Sequence, residues 1–375
     1  MKMIKPGQTI GIIGGGQLGR MMGLAAKEAG FKIAVLDPTK NSPCGQLADI
    51  EIVAPYNDEE ALNELSQVSD VITFEFENID YKGLKRLTKK AYVPQGAELV
   101  RITQNRINEK AEIQAAGVPV APYITAETYE ELVQKIDELG FPCIVKTAFG
   151  GYDGKGQVKL EAKEQIESAK DLFTHSSCIA EAFVPFDKEI SVIIQRNLAG
   201  QTYCLPIAEN IHKHHILHES IVPARVDEAV LEQAEDAAKK IASHLELVGT
   251  LAVEMFVLPD GTIIINELAP RPHNSGHYSI EACNISQFHQ HIRAVCGWPL
   301  REPKLWAPSI MVNVLGEHVA PLQERIADYP DWSIHLYGKA EVKEKRKMGH
   351  VTIMTENLDE TLQEIEQSGI WQDNN

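Results

Sequence analysis

The chain lacks several things that would have sorted it quickly. No Cys-x-x-Cys pair occurs. The 6 cysteines lie scattered along 375 residues, so they read as reduced cytosolic thiols rather than a disulfide framework. No apolar run approaches the roughly 20 residues that span a bilayer, and the opening Met1-Lys2-Met3-Ile4-Lys5-Pro6-Gly7 carries no apolar signal segment. A cytoplasmic location and no membrane partner are expected. Positive charge is in deficit: 36 Lys and Arg stand against 53 Asp and Glu, a formal net charge of −17. That excludes a protein that holds nucleic acid by neutralising its phosphates, though not one that takes a small anionic substrate. Repeats, low-complexity tracts and coiled-coil heptads are missing too. The apolar, aromatic and charged fractions are those of a soluble globular protein, and the length exceeds one ordinary core, so two or three domains are expected.

What the chain does have is concentrated in the stretch 143–157. It opens as a short apolar strand with one lysine, Lys146, set into it. It then runs into a loop with Gly150, Gly151, Gly154 and Gly156, and a second lysine, Lys155. Glycines let successive backbone N–H groups approach an anion, and lysines add mobile positive charge. A polyphosphate suits such a loop. It is not a P-loop, because no Gly-Lys-Ser/Thr opens a helix here. The bland alternative is a surface hairpin with solvated lysines; a half-buried lysine in the adjoining strand weighs against it.

At the other end, residues 9–37 read as a βαβ unit. An apolar strand leads into Gly14-Gly15-Gly16-Gln17-Leu18-Gly19, a helix spans 20–29, and a second strand closes on Asp37. A G-x-G-x-x-G turn with an acid about 20 residues on is the dinucleotide fingerprint, and a nicotinamide-dependent oxidoreductase is one reading. The same turn can hold a single phosphate monoester. The alternation continues through a strand at 50–53 and a helix at 58–68 to a strand at 70–77 that ends in Glu75, Glu77 and Asn78. Ligands of open parallel sheets sit beyond such strand ends. For Glu77 and Asn78 the alternative is to cap a helix starting near Asp80. Glu75, flanked by two phenylalanines, reads as a ligand contact.

The first sheet ends near 103. A helix over 105–116 carries Arg106 and Lys110 and is stopped by Gly117 and Pro119. A helix at 129–139, the lysine strand, a helix at 164–173 and a strand at 178–184 form a small unit with a glycine tip, in the manner of a mobile lid. Antiparallel strands follow at 188–195 and 202–207, then His212, His214, His215 and His218. Zinc is disfavoured there for want of a fourth ligand. Next, after a long amphipathic helix at 227–245, come two apolar strands, 251–257 and 262–269, joined through Pro259-Asp260-Gly261. Glu254 and Glu267 fall nearly opposite one another in that hairpin. Two buried carboxylates repel unless a divalent cation lies between them, and magnesium uses such groups together with substrate phosphates; two solvated glutamates are the alternative. Arg271 and His273 stand at the mouth, suited to an anion or a developing negative charge, while Ser275 reads as the cap of a helix running to about Cys296. From Arg301 on, the chain reads as a small sheet with a basic stretch containing Lys339, Lys343, Lys345, Arg346 and Lys347. Such a run is either a solvated loop or a phosphate contact.

Together, the lysine strand, the glycine loop and the Glu254/Asn266-Glu267 pair resemble the ATP-grasp superfamily. Phe74-Glu75-Phe76-Glu77-Asn78, Gly151-Tyr152-Asp153-Gly154-Lys155-Gly156-Gln157, the stretch from Asn266 to Gly276, and His335-Leu336-Tyr337-Gly338-Lys339 with Arg346-Lys347-Met348-Gly349-His350 resemble, over nearly the whole chain, the 5-(carboxyamino)imidazole ribonucleotide synthase family of purine biosynthesis. Glu344-Lys345 stands where that family more usually has a Pro-Gly turn. The resemblance implies a mixed α/β and α+β fold: a Rossmann-like parallel-sheet domain (1–103), an ATP-grasp domain (104–300, lid about 118–184) and a small β-rich domain (301–375). It implies a carbon–nitrogen ligase that converts ATP, bicarbonate and 5-aminoimidazole ribonucleotide to ADP, phosphate and the N-carboxylated ribonucleotide through carboxyphosphate. It implies magnesium on Glu254 and Glu267. ATP is implied on Arg106, Lys146, the 151–157 loop, Glu181, Ala182, Phe183, Val184, Glu189, His212, Asn266 and Glu267. The substrate is implied on Gly16, Gln17, Leu18, Glu75, Asn78, Asn274, Lys339 and Arg346. Catalysis is implied at Tyr152, Asp153, Arg271 and His273, with Asp153 as base, and the assembly is a homodimer. The sibling that formylates glycinamide ribonucleotide with formate is the nearest alternative.

Overall fold

The computed structural model describes residues 2–150, 156–174 and 176–372. The first four strands are β1 (Thr9–Ile13), β2 (Lys32–Asp37), β3 (Ile50–Val53) and β4 (Val71–Phe74). They form one parallel sheet in the order β3-β2-β1-β4. The apolar runs of β1, β2 and β4 are almost wholly buried, as a parallel sheet covered on both faces requires. The fourth strand is shorter than its sequence suggests: its ladder stops at Phe74, and the chain turns away at Glu75. Glu77 and Asn78 cap nothing, because the helix Tyr81–Leu87 is capped by Asp80, which accepts from the Lys82 and Gly83 amides. Both residues are thereby left to face the neighbouring domain.

The helix Arg106–Ala115 starts at Asn105, whose side chain accepts from the Ile107 and Asn108 amides. Beyond it lie β5 (Tyr123–Ala126), β6 (Cys143–Thr147), β7 (Gln157–Leu160) and β8 (Cys178–Ala182), an antiparallel sheet in the order β5-β8-β6-β7. The helix Tyr129–Leu139 has the bounds its pattern predicts. The second helix of the unit is a 3-10 segment, Lys163–Thr174, with Ala169 as its buried residue.

The third sheet contains β9 (Lys188–Arg196), β10 (Thr202–Cys204), β11 (Ala208–Lys213), β12 (Ile216–Val222), β13 (Gly249–Val257), β14 (Ile263–Ala269), β15 (Ser309–Leu315), β16 (Ser333–Leu336) and β17 (Lys347–Met354). Its order is β14-β13-β9-β11-β12-β15-β17-β16, with β10 on β9. The C-terminal strands keep their own core of Val312, Trp332, Val351, Ile365 and Trp371. They do not form a separate sheet, however, because β15 pairs with β12. One helix expected to run from Ser275 to Cys296 is three pieces: Asn274–Gly276, Ser279–Ala282 and Gln287–Val295. His273, not Ser275, caps the first, and Ser286 starts the last. That last helix packs against Gln17–Glu28, so Met22, Ala25 and Ala26 share a core with Phe288, Ile292 and Val295. This shared core fixes the parallel-sheet domain against the central one.

Candidate active site

A cleft of about 470 Å³ opens between the sheets. The β13–β14 hairpin supplies its floor. Glu254 pairs directly with Glu267 across the ladder, where a register shift follows between Glu254 and Met255, and both line the cleft. Burial pushes the Glu254 carboxyl up, and the neighbouring Glu267 charge pushes it further. Arg106 Nη1 lies 3.3 Å from Glu267 Oε2. His273 Nδ1 accepts from the Ser275 amide, which leaves Nε2, 3.1 Å from Glu254 Oε1, as the protonated nitrogen. Burial first, and the Arg271 charge second, hold His273 well below the ordinary histidine range, so it is a neutral donor. Among the described residues, no set of three or more His, Cys, Asp or Glu is arranged to hold a metal alone. Two opposed carboxylates that need further oxygens suit magnesium completed by substrate phosphates.

On the opposite wall, Lys146 Nζ lies 3.2 Å from Glu181 Oε2, and the fully buried Lys110 approaches the same oxygen at 3.4 Å. Desolvation lowers Lys146, partly offset by Glu181. Lys110 also donates to the Asn266 carbonyl at 2.7 Å, and Glu109 accepts from the Leu268 amide. Burial, then repulsion from Glu267, pushes Glu109 up to about 8. Glu109 and Lys110 thus brace the strand that carries Asn266 and Glu267. The sequence reading assigned neither a role, although Arg106, Glu109, Lys110 and Ile113 recur at helical spacing on one face. Gln287 was missed for lack of any signal: its amide accepts from the His273 N–H at 2.8 Å and donates to the His273 carbonyl at 2.7 Å.

Arg271 grips Glu77 with two nitrogens, at 2.6 and 3.3 Å. Burial alone would raise the Glu77 carboxyl, but Arg271 pulls it below the usual range. His212 Nδ1 lies 2.9 Å from Glu189 Oε2, and both line the cleft with Gln157, Asn78 and Asn274. Among the described residues, the Asn274 amide nitrogen and Glu181 Oε1 are buried with no hydrogen-bond partner, as groups awaiting a ligand would be. Ala182, Phe183 and Val184 continue from Glu181 without entering the described wall; the Ala182 and Phe183 amides donate to the Pro122 and Pro142 carbonyls. His218 pairs with Glu219 instead of joining His212. Gly156 adopts φ +71 and its carbonyl accepts from the Thr147 amide. Gly151, Tyr152, Asp153, Gly154 and Lys155 lie outside the described residues.

A second set of groups gathers at the glycine turn. The Glu75 carboxylate accepts from the Gly16 amide at 2.6 Å and the Gly19 amide at 2.7 Å. Asp37 accepts from Gly15 at 2.7 Å and from the Tyr56 hydroxyl at 2.6 Å. A Cβ at Gly14 would stand 2.3 Å from Glu75 Cγ, and one at Gly15 2.2 Å from Ser42 Oγ. The turn is therefore filled by the protein's own side chains. Its acid is spent on Gly15, and the dinucleotide reading fails. Among the described residues no acceptor engages the Gln17 or Leu18 amides, which open the helix Gln17–Glu28. The 338–347 loop lies over this turn: Gln46 donates to the Gly338 carbonyl at 2.7 Å and accepts from Arg20 at 3.2 Å. Lys339 feels the Glu75 charge, while burial and then Arg346 push its pKa down to about 8. Arg346 itself donates to the Glu341 carbonyl at 3.3 Å.

Comparison with known proteins agrees with this geometry over the full length. The ribonucleotide synthetase preATP-grasp domain family matches residues 7–104, the ATP-grasp domain family 111–288, and the phosphoribosylaminoimidazole carboxylase C-terminal domain family 309–364. The N5-carboxyaminoimidazole ribonucleotide synthase of Bacillus subtilis is 53% identical over 364 residues, covering 97% of this chain and 96% of its own. An N5-carboxyaminoimidazole ribonucleotide synthetase solved as its ADP complex superposes with a TM-score of 0.97 at 56% identity, over 99% of this chain and 98% of that one. The Aspergillus clavatus synthase, solved with ADP and 5-aminoimidazole ribonucleotide, superposes with a TM-score of 0.89 at 31% identity, over 96% and 97%. With opposed carboxylates in the cleft, a filled glycine turn beside it and relatives of this similarity end to end, the chain belongs to the N5-carboxyaminoimidazole ribonucleotide synthase family.

Proposed function

We propose that this protein carboxylates 5-aminoimidazole ribonucleotide with bicarbonate at the expense of ATP, giving N5-carboxyaminoimidazole ribonucleotide, ADP and phosphate in purine biosynthesis. The observation that carries the reading is the Glu254–Glu267 pair sharing one cleft with Arg106, Lys146, Arg271 and the unpartnered Asn274. ATP lies in that cleft. Its phosphates meet Arg106, Lys146, Lys155 and the amides of 151–157; its base faces Glu181 to Val184; its ribose meets Glu189, with His212 beside it and Asn266 near the phosphates. Glu254 and Glu267 would hold magnesium, which would supply charge neutralisation for the transferring phosphoryl group.

A bicarbonate oxygen attacks the terminal phosphorus. The new P–O bond forms as the bond to the ADP oxygen breaks, and carboxyphosphate results. Arg271, locked by Glu77, presents fixed donors to the charge that develops on the phosphoryl and carboxyl oxygens. Neutral His273 holds Glu254 in place through its Nε2–H. The aminoimidazole amine then attacks the carboxyl carbon, and phosphate leaves. Asp153 takes the amine proton, with Tyr152 beside the ring. The substrate monophosphate rests beside Gly16 on the unengaged Gln17 and Leu18 amides, under Lys339 and Arg346, while Glu75, Asn78 and Asn274 meet the ribose and base. The enzyme works in the cytoplasm as a homodimer.

The test is phosphate release with magnesium and ATP, with and without bicarbonate and the ribonucleotide. Stimulation that requires both is expected. Release that ignores the ribonucleotide, or that needs formate in place of bicarbonate, defeats the proposal.

A further inference from the structure

Between the cleft and the 338–347 loop lies a column of three imidazoles to which the reaction above assigns no work. His335 and His350 are direct partners across β16 and β17, the two strands from which the loop springs. Their rings stack at 4.6 Å between centroids with 14° between planes. On its other side, His350 meets His277 at 4.7 Å. His277 belongs to the turn that carries Arg271, His273 and Asn274. Each ring is also tied by a polar bond. The His335 Nε2 pairs with Glu281 at 2.6 Å, the His350 Nδ1 with the Tyr337 hydroxyl at 2.9 Å, and the His277 Nδ1 accepts from Gln287 Nε2 at 3.1 Å. The same Gln287 amide holds both backbone groups of His273.

The column is tightly built. A Cβ on Gly349 would stand 2.4 Å from the His335 carbonyl oxygen, and one on Gly276 would stand 2.7 Å from Gln287 Oε1. His277 and His350 are fully buried, and burial lowers both, His277 to about 3. They act as neutral plates with directional edges, which an aliphatic core would not supply. Among the described residues, the Nε2 atoms of His277 and His350 and Glu281 Oε2 have no hydrogen-bond partner. A unit bought with that many unmet polar atoms does more than fill space.

We infer that His277, His350 and Tyr337, anchored by Gln287 and Glu281, are positioning residues that set the loop bearing Lys339 and Arg346 in register with the turn bearing Arg271 and Asn274. The inference rests on the proposed function, because those two segments hold opposite ends of one aminoimidazole ribonucleotide. A one-ångström slip between them leaves the base and ribose contacts of ATP in place and misplaces the second substrate.

The experiment measures KM for the ribonucleotide by phosphate release, and Kd for ATP by calorimetric titration, in wild type, His350→Phe and Tyr337→Phe. The first substitution keeps a ring of similar size and removes its edge; the second removes one hydroxyl. The expected result is a rise in ribonucleotide KM of about tenfold for His350→Phe and about threefold for Tyr337→Phe, with the ATP Kd within about twofold of wild type. An ATP Kd that shifts as much as the KM makes the role merely structural and overturns the inference, as does an unchanged KM in both variants. If His350→Phe does not fold, the Tyr337→Phe result alone decides. A wild-type enzyme that ignores the ribonucleotide fails at the earlier step, before any variant is compared, and takes the inference with it.

Discussion

The carboxylate of Glu75 sits 2.6 Å from the amide of Gly16, inside the turn that opens the first helix. A second amide, that of Gly19, reaches its other oxygen. Burial raises the Glu75 carboxyl, and those two amides pull it back. Replacing Glu75 by Ala strands two donors in a buried turn. A stability loss of about 1–3 kcal/mol is expected in urea unfolding, together with a raised ribonucleotide KM. Glu75→Gln keeps one acceptor and sets an NH2 against the other amide, so it loses less stability. Equal stability in all three proteins would show that the turn does not depend on this carboxylate.

Glu267 faces Glu254 and feels Arg106. Glu267→Gln removes one of the two opposed charges and halves the oxygen charge available to a divalent cation. Turnover is expected to fall by about a hundredfold or more, since each 1.4 kcal/mol of lost stabilisation is tenfold in rate, while the fold survives. A magnesium titration of phosphate release reads this directly. Normal turnover at ordinary magnesium would remove Glu267 from the metal site.

Lys339 gives a pH signature. Burial first, and the Arg346 charge second, push its ammonium from the usual 10.5 down to about 8. The folded chain therefore binds fewer protons than the unfolded chain between those values. Stability rises with pH across that window as the buried charge is relieved. Phosphate binding works the other way, because it needs the charge. The ribonucleotide KM is expected to climb as pH passes from about 7 to 9. Arginine stays charged throughout, so Lys339→Arg should flatten that climb even if its absolute KM is higher. A wild-type KM flat over the range counts against Lys339 as a phosphate ligand.

Lys345 holds φ at +60°, a left-handed conformation that L side chains pay to adopt. It falls within the basic stretch, in the Glu344-Lys345 step. Lys345→Gly should stabilise the protein by about 0.5–1 kcal/mol, the relief of left-handed strain exceeding glycine's extra chain entropy. Thermal unfolding with kinetics alongside checks this. A lower Tm would mean that contacts of the lysine outweigh the strain.

The parts legible in the sequence were those where one residue's neighbours in the chain are also its neighbours in space. The β13–β14 hairpin is such a case: alternation and a Pro-Asp-Gly turn were enough to set Glu254 opposite Glu267. The helix Tyr129–Leu139, with Thr128 as cap, is another. What escaped depends on contacts distant along the chain. Nothing local says that Glu75 will fill the glycine turn 59 residues earlier, or that Arg271 will seize Glu77 across 194 residues. The strand expected over 70–77 stops at Phe74 because Glu75 is drawn into the turn instead of continuing along β1. The long helix after Ser275 broke because Gln287 and Ser286 serve a backbone turn and a fresh cap. The glycine turn was legible as a turn, but nothing local says that Asp37 and Glu75 will take the amides of Gly15, Gly16 and Gly19.

The pairing of β15 with β12 has a consequence in time. Strand β12 gains its outer neighbour when residues 309–315 arrive, and β17, with β16 outside it, covers β15 later still. A ribosome works from the N-terminus, so most of the chain leaves it while Ile221 and Val222 still sit on an unpaired edge. An unpaired edge invites another chain. Stalled or prematurely ended synthesis before residue 309 is therefore expected to yield a sticky fragment instead of a small soluble ligase. In this protein the last strands made are the ones that render the first four-fifths safe to release.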